Sequence, residues 1–251
     1  MPVRQLIVKL LRGEYNSVRY RFVRLPKEWI NYIFLYRLFG KDWTAFYTDR
    51  MNREAELGKD KRPSDRYLEQ SASHLEDLKA AGMLPHHRLL DYGCGVMRTG
   101  LAAIPYLDAG KYTGVDISDV RLEKGRALLA ESGIESGSYE ALPVTGCTLR
   151  ELDGYQFDYV WAQSVLTHMP ASEIAVMLRS MRPMLAPGGQ FLFTFSTDKA
   201  YMRRHVKDFW YPEDFMAEHC RAAGYAYELI ESGSTGQTRL ARLTIPTKAN
   251  G

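Results

Sequence analysis

"LLDYGCGVMRTG" (residues 89–100) runs two leucines into an aspartate and then sets Gly93 and Gly95 around Cys94, ahead of a helix-like segment. Glycines so spaced let a ligand lie against backbone that a Cβ would otherwise shield. A dinucleotide site requires a third glycine, GxGxxG, for tight packing beside the pyrophosphate, and here Arg98 stands in its place. NAD is disfavoured. Asp116 closes the next apolar run, where an acid about twenty residues beyond the glycines accepts both hydroxyls of a ribose. A nucleoside without a pyrophosphate fits the pair better.

Outward from this stretch, strands are expected at "RLLDY" (88–92), "YTGVDI" (112–117), "FDYVWAQ" (157–163) and "QFLFTFS" (190–196), and helices over 67–81, 97–107, 119–131, 171–185 and 212–223. The fourth helix carries Ile174, Met177, Leu178, Met181 and Leu185 at helical spacing, and Pro187, Gly188 and Gly189 end it. Strands alternating with helices imply an α/β fold whose mostly parallel sheet binds ligands beyond its carboxyl edge. The closely spaced "YELIES" and "TRLARLTI" favour an antiparallel hairpin at the sheet edge.

Three cysteines, Cys94, Cys147 and Cys220, lie far apart with no CxxC, and the six histidines form no HExxH. Neither a disulfide framework nor a metal site is expected. No uninterrupted apolar run reaches the ~18 residues of a membrane span, and the first residues lack the order of a signal peptide. The expectation is an intracellular, cytoplasmic protein. Charge is unevenly spread: residues 1–41 hold nine basic side chains against Glu14 and Glu28, about +7 by side-chain counting, within a chain whose formal net charge is +3.

"GKDKRPSD" (58–65) is a polar, turn-forming break, and it sets the expected boundary between an N-terminal helical appendage (1–65) and the main domain (66–251). Within the appendage, "EWINYIFLYRLF" (28–39) is short for a span and interrupted by Arg37. A lid or acceptor-binding cap, a helix lying on a membrane surface, an oligomer contact and nucleic-acid binding are all open to it. The last is disfavoured, since no recognised RNA module is present.

"LLDYGCG", "YTGVDIS", "FDYVWAQSVLTHM" and "MLAPGGQFLFTF" together resemble, in order, the motifs of the class I S-adenosylmethionine-dependent methyltransferases, over roughly residues 66–246. More narrowly, "GCGVMRTG" with "IPYL" and "KYTGVDIS" resembles a bacterial subgroup in which Met-Arg or Leu-Arg follows the glycines. The resemblance implies a Rossmann-like seven-stranded sheet with one antiparallel edge strand, and S-adenosyl-L-methionine as cofactor. It also implies roles for residues. Asp91 would anchor the glycine loop or meet the amino group of the cofactor's methionine part; Asp116 would hold the ribose, with Ile117 against the adenine. Tyr92, Gly93, Cys94, Gly95, Ala162 and Gln163 would line the cofactor. Aligned through "EALP", the acid usual before the adenine contact is replaced by Ser138, with Tyr139 next.

Arg98 can offer a forked pair of donors to the cofactor's carboxylate, or be a solvated arginine opening a helix. His168, in "LTHMP" just past the fourth strand, is the candidate base, with a loop histidine bonded to backbone as the alternative. A hydroxyl acceptor gains most from such a base. O-methylation of a small-molecule, sugar, glycosylated or lipid-linked acceptor is therefore expected, ahead of N-methylation, RNA methylation through the basic N-terminal region or cofactor binding without catalysis.

Overall fold

In the computed structural model the described residues are 29, 30, 32, 33, 42–58 and 64–246. Most of the stretch 28–39, and with it the roles considered for the basic residues 1–41, falls outside them. The described chain begins with α1 (Trp43–Glu56), whose N-cap Asp42 accepts from the Ala45 amide, and α2 (Asp65–Ala80), capped by Ser64. Then follow β1 (Leu89–Tyr92), α3 (Gly100–Tyr106), β2 (Tyr112–Asp116), α4 (Asp119–Glu131), β3 (Tyr139–Pro143), β4 (Phe157–Ala162), α5 (Ala171–Met181) and β5 (Leu185–Ser196). The chain closes through a short hairpin, β6 (Met202–His205) and β7 (Asp208–Trp210), then α6 (Glu213–Ala222), β8 (Ala226–Thr235) and β9 (Thr238–Thr244).

Seven strands form one sheet in the order β3-β2-β1-β4-β5-β9-β8. Strands β1 to β5 run parallel, and β9 joins β5 antiparallel with β8 beyond it. The strand order reverses between β1 and β4, so the connections leaving their carboxyl ends run to opposite sides and open a crevice there. Core residues pack on both faces, with Leu90, Val160, Phe191 and Phe193 in one cluster and Leu89, Tyr159, Trp161 and Leu192 in the other. Alternation along each strand places neighbours on opposite faces.

Two expected helices differ, and two elements were not expected. The fourth helix ends at Met181 rather than Leu185, because Pro183 supplies no amide hydrogen and the chain tightens into a 3-10 turn over Arg182–Met184. The helix expected from residue 97 starts at Gly100, since Met97 takes φ 56° and holds residues 95–99 in turns. The β6–β7 hairpin had no sequence signal, as its strands are only four and three residues long and pair off the main sheet, and no strand was expected where β3 lies.

Helix α1 packs on the body, with Trp43 and Phe46 in the same core cluster as Leu90 and Tyr92. Ser118 Oγ donates to Asn52 Oδ1 at 2.6 Å and Lys124 donates to the Ala55 carbonyl, fixing α1 along α4. At its other end Trp29, Tyr32, Trp43 and Phe209 surround the Arg203 guanidinium, at 4.6–5.1 Å from the ring centroids. No described helix is long and apolar enough to cross a membrane.

Candidate functional site

The glycine loop is tied to β2 by three amides. Gly93 and Cys94 donate to the Val115 carbonyl at 2.8 and 3.0 Å, and Gly95 donates to Asp116 Oδ2 at 2.9 Å. The Ser118 amide takes the other Asp116 oxygen at 2.9 Å, so each oxygen of this carboxylate is held by a backbone amide. Gly93 has φ 72°, and a Cβ there would stand 2.5 Å from Val165 Cγ2. Glycine is required at that position on both counts.

Beneath the loop lies a cavity of about 330 Å³ lined by Asp91, Tyr92, Gly93, Cys94, Gly95, Arg98, Asp116, Ile117, Gln163 and His168, all singled out from the sequence. Asp91, 2% exposed, accepts from the Tyr112 hydroxyl at 2.6 Å. Burial, with the Asp116 charge, lifts its carboxyl to about 7 against the opposing pull of the Tyr112 bond and of Arg98. Arg98 sits in the turn before α3, its guanidinium 4.9 Å from the centre of the Tyr67 ring, and its buried Nε has no hydrogen-bond partner among the described residues. A buried donor left unpaired costs roughly 1–3 kcal/mol, which a ligand carboxylate here would relieve. Gln163 is held by Thr194 of β5, whose hydroxyl donates to its Oε1 and accepts from the Ser164 amide at 2.8 Å.

Three candidates are not brought to the cavity. Ala162 is fully buried in the core, because strand alternation turns it to the face that Val160 also occupies. Ser138 and Tyr139 stand at the wrong end of β3. Tyr139 opens the strand opposite Tyr112, and Ser138 caps a preceding turn with its hydroxyl on the Glu135 carbonyl. The residue that follows the strand's carboxyl end is Val144, whose amide bonds the Asp116 carbonyl at 3.0 Å and whose side chain lines the cavity. Aligning through "EALP" had counted the strand from the wrong edge.

His168 follows β4 in a 3-10 turn and lines the cavity beside Lys207. Its Nδ1 lies 3.1 Å from Asp208 Oδ1 and 3.0 Å from the Lys207 carbonyl, and Tyr47 of α1 stacks on its ring at 5.6 Å. Burial alone would raise the Asp208 carboxyl, yet the bond to His168 and the charges of Lys207, His168 and His205 bring it down to about 2. Asp208 is thus ionised through the physiological range.

Other cavity residues were not singled out from the sequence. His74 of α2 bonds Thr99 Oγ1 through Nδ1 at 3.0 Å; burial first and the Arg98 charge second lower it to about 4, so it is neutral. Cys147 bonds the Glu173 carboxylate, and burial together with that bond pushes its thiol up. Trp43, Thr44, Tyr47, Met51 and Glu54 arrive from α1 and cover the crevice. A helical pattern beginning near residue 43, with aromatics one turn apart, was the one sign available for this last group.

Residues 90–191 match the family model of a methyltransferase domain. That segment runs from β1 into β5 and contains the glycine loop, Asp116 and His168. The ribosomal RNA small subunit methyltransferase C of Pseudomonas aeruginosa is 30% identical over 126 residues, 49% of this chain and 37% of that protein. The probable methyltransferase ltbC of Aspergillus luteorubrus is 28% identical over 134 residues, 50% of this chain and 47% of that one. The chain thus spans less than half the length of the curated relatives it matches. Among solved structures, the magnesium protoporphyrin IX methyltransferase of Synechocystis PCC 6803, with bound SAM, superposes with a TM-score of 0.63 at 16% identity, covering 82% of this chain and 98% of that one. The methyltransferase-domain match, the strand order and that superposition agree on the fold.

Proposed function

We propose that this protein is an S-adenosylmethionine-dependent methyltransferase that methylates an oxygen of a small-molecule or glycosylated acceptor. The observation that carries the reading is the cavity itself, which gathers the glycine loop, Asp91, Arg98, Asp116 and His168 at the switch point of a methyltransferase-type sheet. The residues fit the cofactor. The unpaired Nε of Arg98 suits a carboxylate, Asp91 an ammonium, Asp116 a ribose, and the apolar side chains of Ile117 and Val144 an adenine.

When bound, the cofactor supplies a methyl group on a positively charged sulfur that departs as a neutral thioether, so no acid is needed to assist its departure. The chain's task is to position the acceptor, exclude water and take a proton. His168 accepts the hydroxyl proton. Tyr47 and Trp43 of α1, together with Met169, wall the crevice with apolar and aromatic surface, and α1 serves as its lid. A covered cavity of this size favours an acceptor small enough, or with an end narrow enough, to enter it.

Screening saccharides, phenols, amines and lipids for formation of the demethylated cofactor identifies the acceptor. With it in hand, His168→Ala lowers turnover by roughly 10²- to 10⁴-fold and leaves cofactor affinity nearly unchanged. Full activity in that variant, or methylation on nitrogen alone, overturns the assignment of the base.

A further inference from the structure

The reading of His168 as a base leaves open which of its ring nitrogens is free. Both groups facing Nδ1, the Asp208 carboxylate at 3.1 Å and the Lys207 carbonyl at 3.0 Å, accept hydrogen bonds and cannot donate them. A neutral imidazole between two such acceptors carries its hydrogen on Nδ1 and its lone pair on Nε2. Isolated imidazole side chains in water prefer the opposite tautomer, so the protein has to impose this one.

We propose that Asp208 is a positioning residue: from the β6–β7 hairpin it holds the His168 ring with Nδ1 protonated, so that Nε2 presents its lone pair to the cavity. The proposal rests on the reading of His168 as the base, and it adds an element, the hairpin, that the motif-bearing segment does not contain. Of the two acceptors the carboxylate is the stronger, because a bond to an ionised oxygen is roughly twice as strong as one to a neutral carbonyl. Its ionised state is secure, as the carboxyl lies at about 2. Lys207 Nζ stands 3.5 Å from the same Asp208 oxygen and steadies it. The other titratable groups around the pair are His205 on the hairpin, Tyr47 on α1 and, across the cavity, Glu173 on α5. Stacking of Tyr47 on the imidazole fixes the plane of the ring, while Asp208 fixes its direction within that plane.

The arrangement has a chemical consequence. When Nε2 takes the acceptor's proton the ring becomes a cation, and the Asp208 carboxylate already sits on its other edge to stabilise it. No proton needs to pass to Asp208 itself.

The test is nitrogen-15 NMR of the full-length protein labelled at histidine, with the His168 signals identified by their loss in His168→Gln. It needs neither an acceptor nor turnover. Wild-type His168 is expected in the Nδ1–H form near neutral pH, and an Nε2–H form overturns the proposal. In Asp208→Ala the Nδ1–H fraction is expected to fall. An unchanged tautomer there means the Lys207 carbonyl alone sets it, and removes Asp208 from the role. Should that variant not fold, Asp208→Asn keeps the shape and lowers the fraction likewise, since its amide can donate to Nδ1. Once an acceptor is known, turnover in Asp208→Asn falls at least about tenfold with cofactor affinity unchanged, and Asp208→Glu recovers part of it. A protein that shows the tautomer and its loss but transfers no methyl group leaves the positioning intact and removes the methyltransferase reading instead.

Discussion

The indole Nε1 of Trp43 donates to the main-chain carbonyl of His168 at 3.1 Å, across 125 positions of sequence. The helix that covers the crevice and the loop that carries His168 are therefore one packed unit. Trp43→Phe keeps most of the apolar ring and removes the donor, for a loss of about 0.5–1.5 kcal/mol. Trp43→Ala also opens a cavity in the core, for about 3–5 kcal/mol. Urea unfolding curves of the three proteins measure both, and an unchanged midpoint in Trp43→Ala would mean that α1 does not pack on the body.

Gly93→Ala meets two penalties at once, a positive φ and a methyl group driven into Val165. Together they amount to roughly 2–4 kcal/mol of folding or cofactor-binding energy. The double variant Gly93→Ala, Val165→Ala removes the collision and leaves the backbone strain, so it recovers part of the loss. Recovery of none would place the whole effect in the backbone.

Asp91 gives the site a pH signature. Its carboxyl ionises at about 7 in the folded protein and near 4 in the unfolded chain. The stability it contributes in its protonated form is complete below about pH 4 and is lost as pH rises through about 7. Cofactor binding runs the other way: an ammonium partner favours the ionised carboxylate, so affinity rises by up to about tenfold per unit as pH climbs towards 7 and levels off above it. Asp91→Asn flattens both dependences, and calorimetric titrations across that range detect it. A wild-type affinity that falls with pH would contradict the contact.

What the sequence made legible follows from how local each signal is. The Gly93–Gly95 spacing, Asp116 at a strand end and the apolar stripe of α5 are short-range patterns, and the structure places them in the loop, the strand end and the helix expected. Val144 was missed because no strand was expected over Tyr139–Pro143, so nothing in the sequence told which end of that segment meets the cavity. Asp208, Tyr47 and His74 were missed for another reason. Tyr47 and His74 reach the cavity, and Asp208 reaches His168, from elements distant in sequence, through packing of α1, α2 and the hairpin that no periodicity announces.

Calorimetric titration of the full-length protein with S-adenosylmethionine and with its demethylated product tests the central claim most directly. Saturable binding of both is predicted, weakened in Asp116→Ala by a few kcal/mol at most, on the scale of lost hydrogen bonds to a ribose. Binding of NAD in their place, or no binding of either compound, would contradict the account.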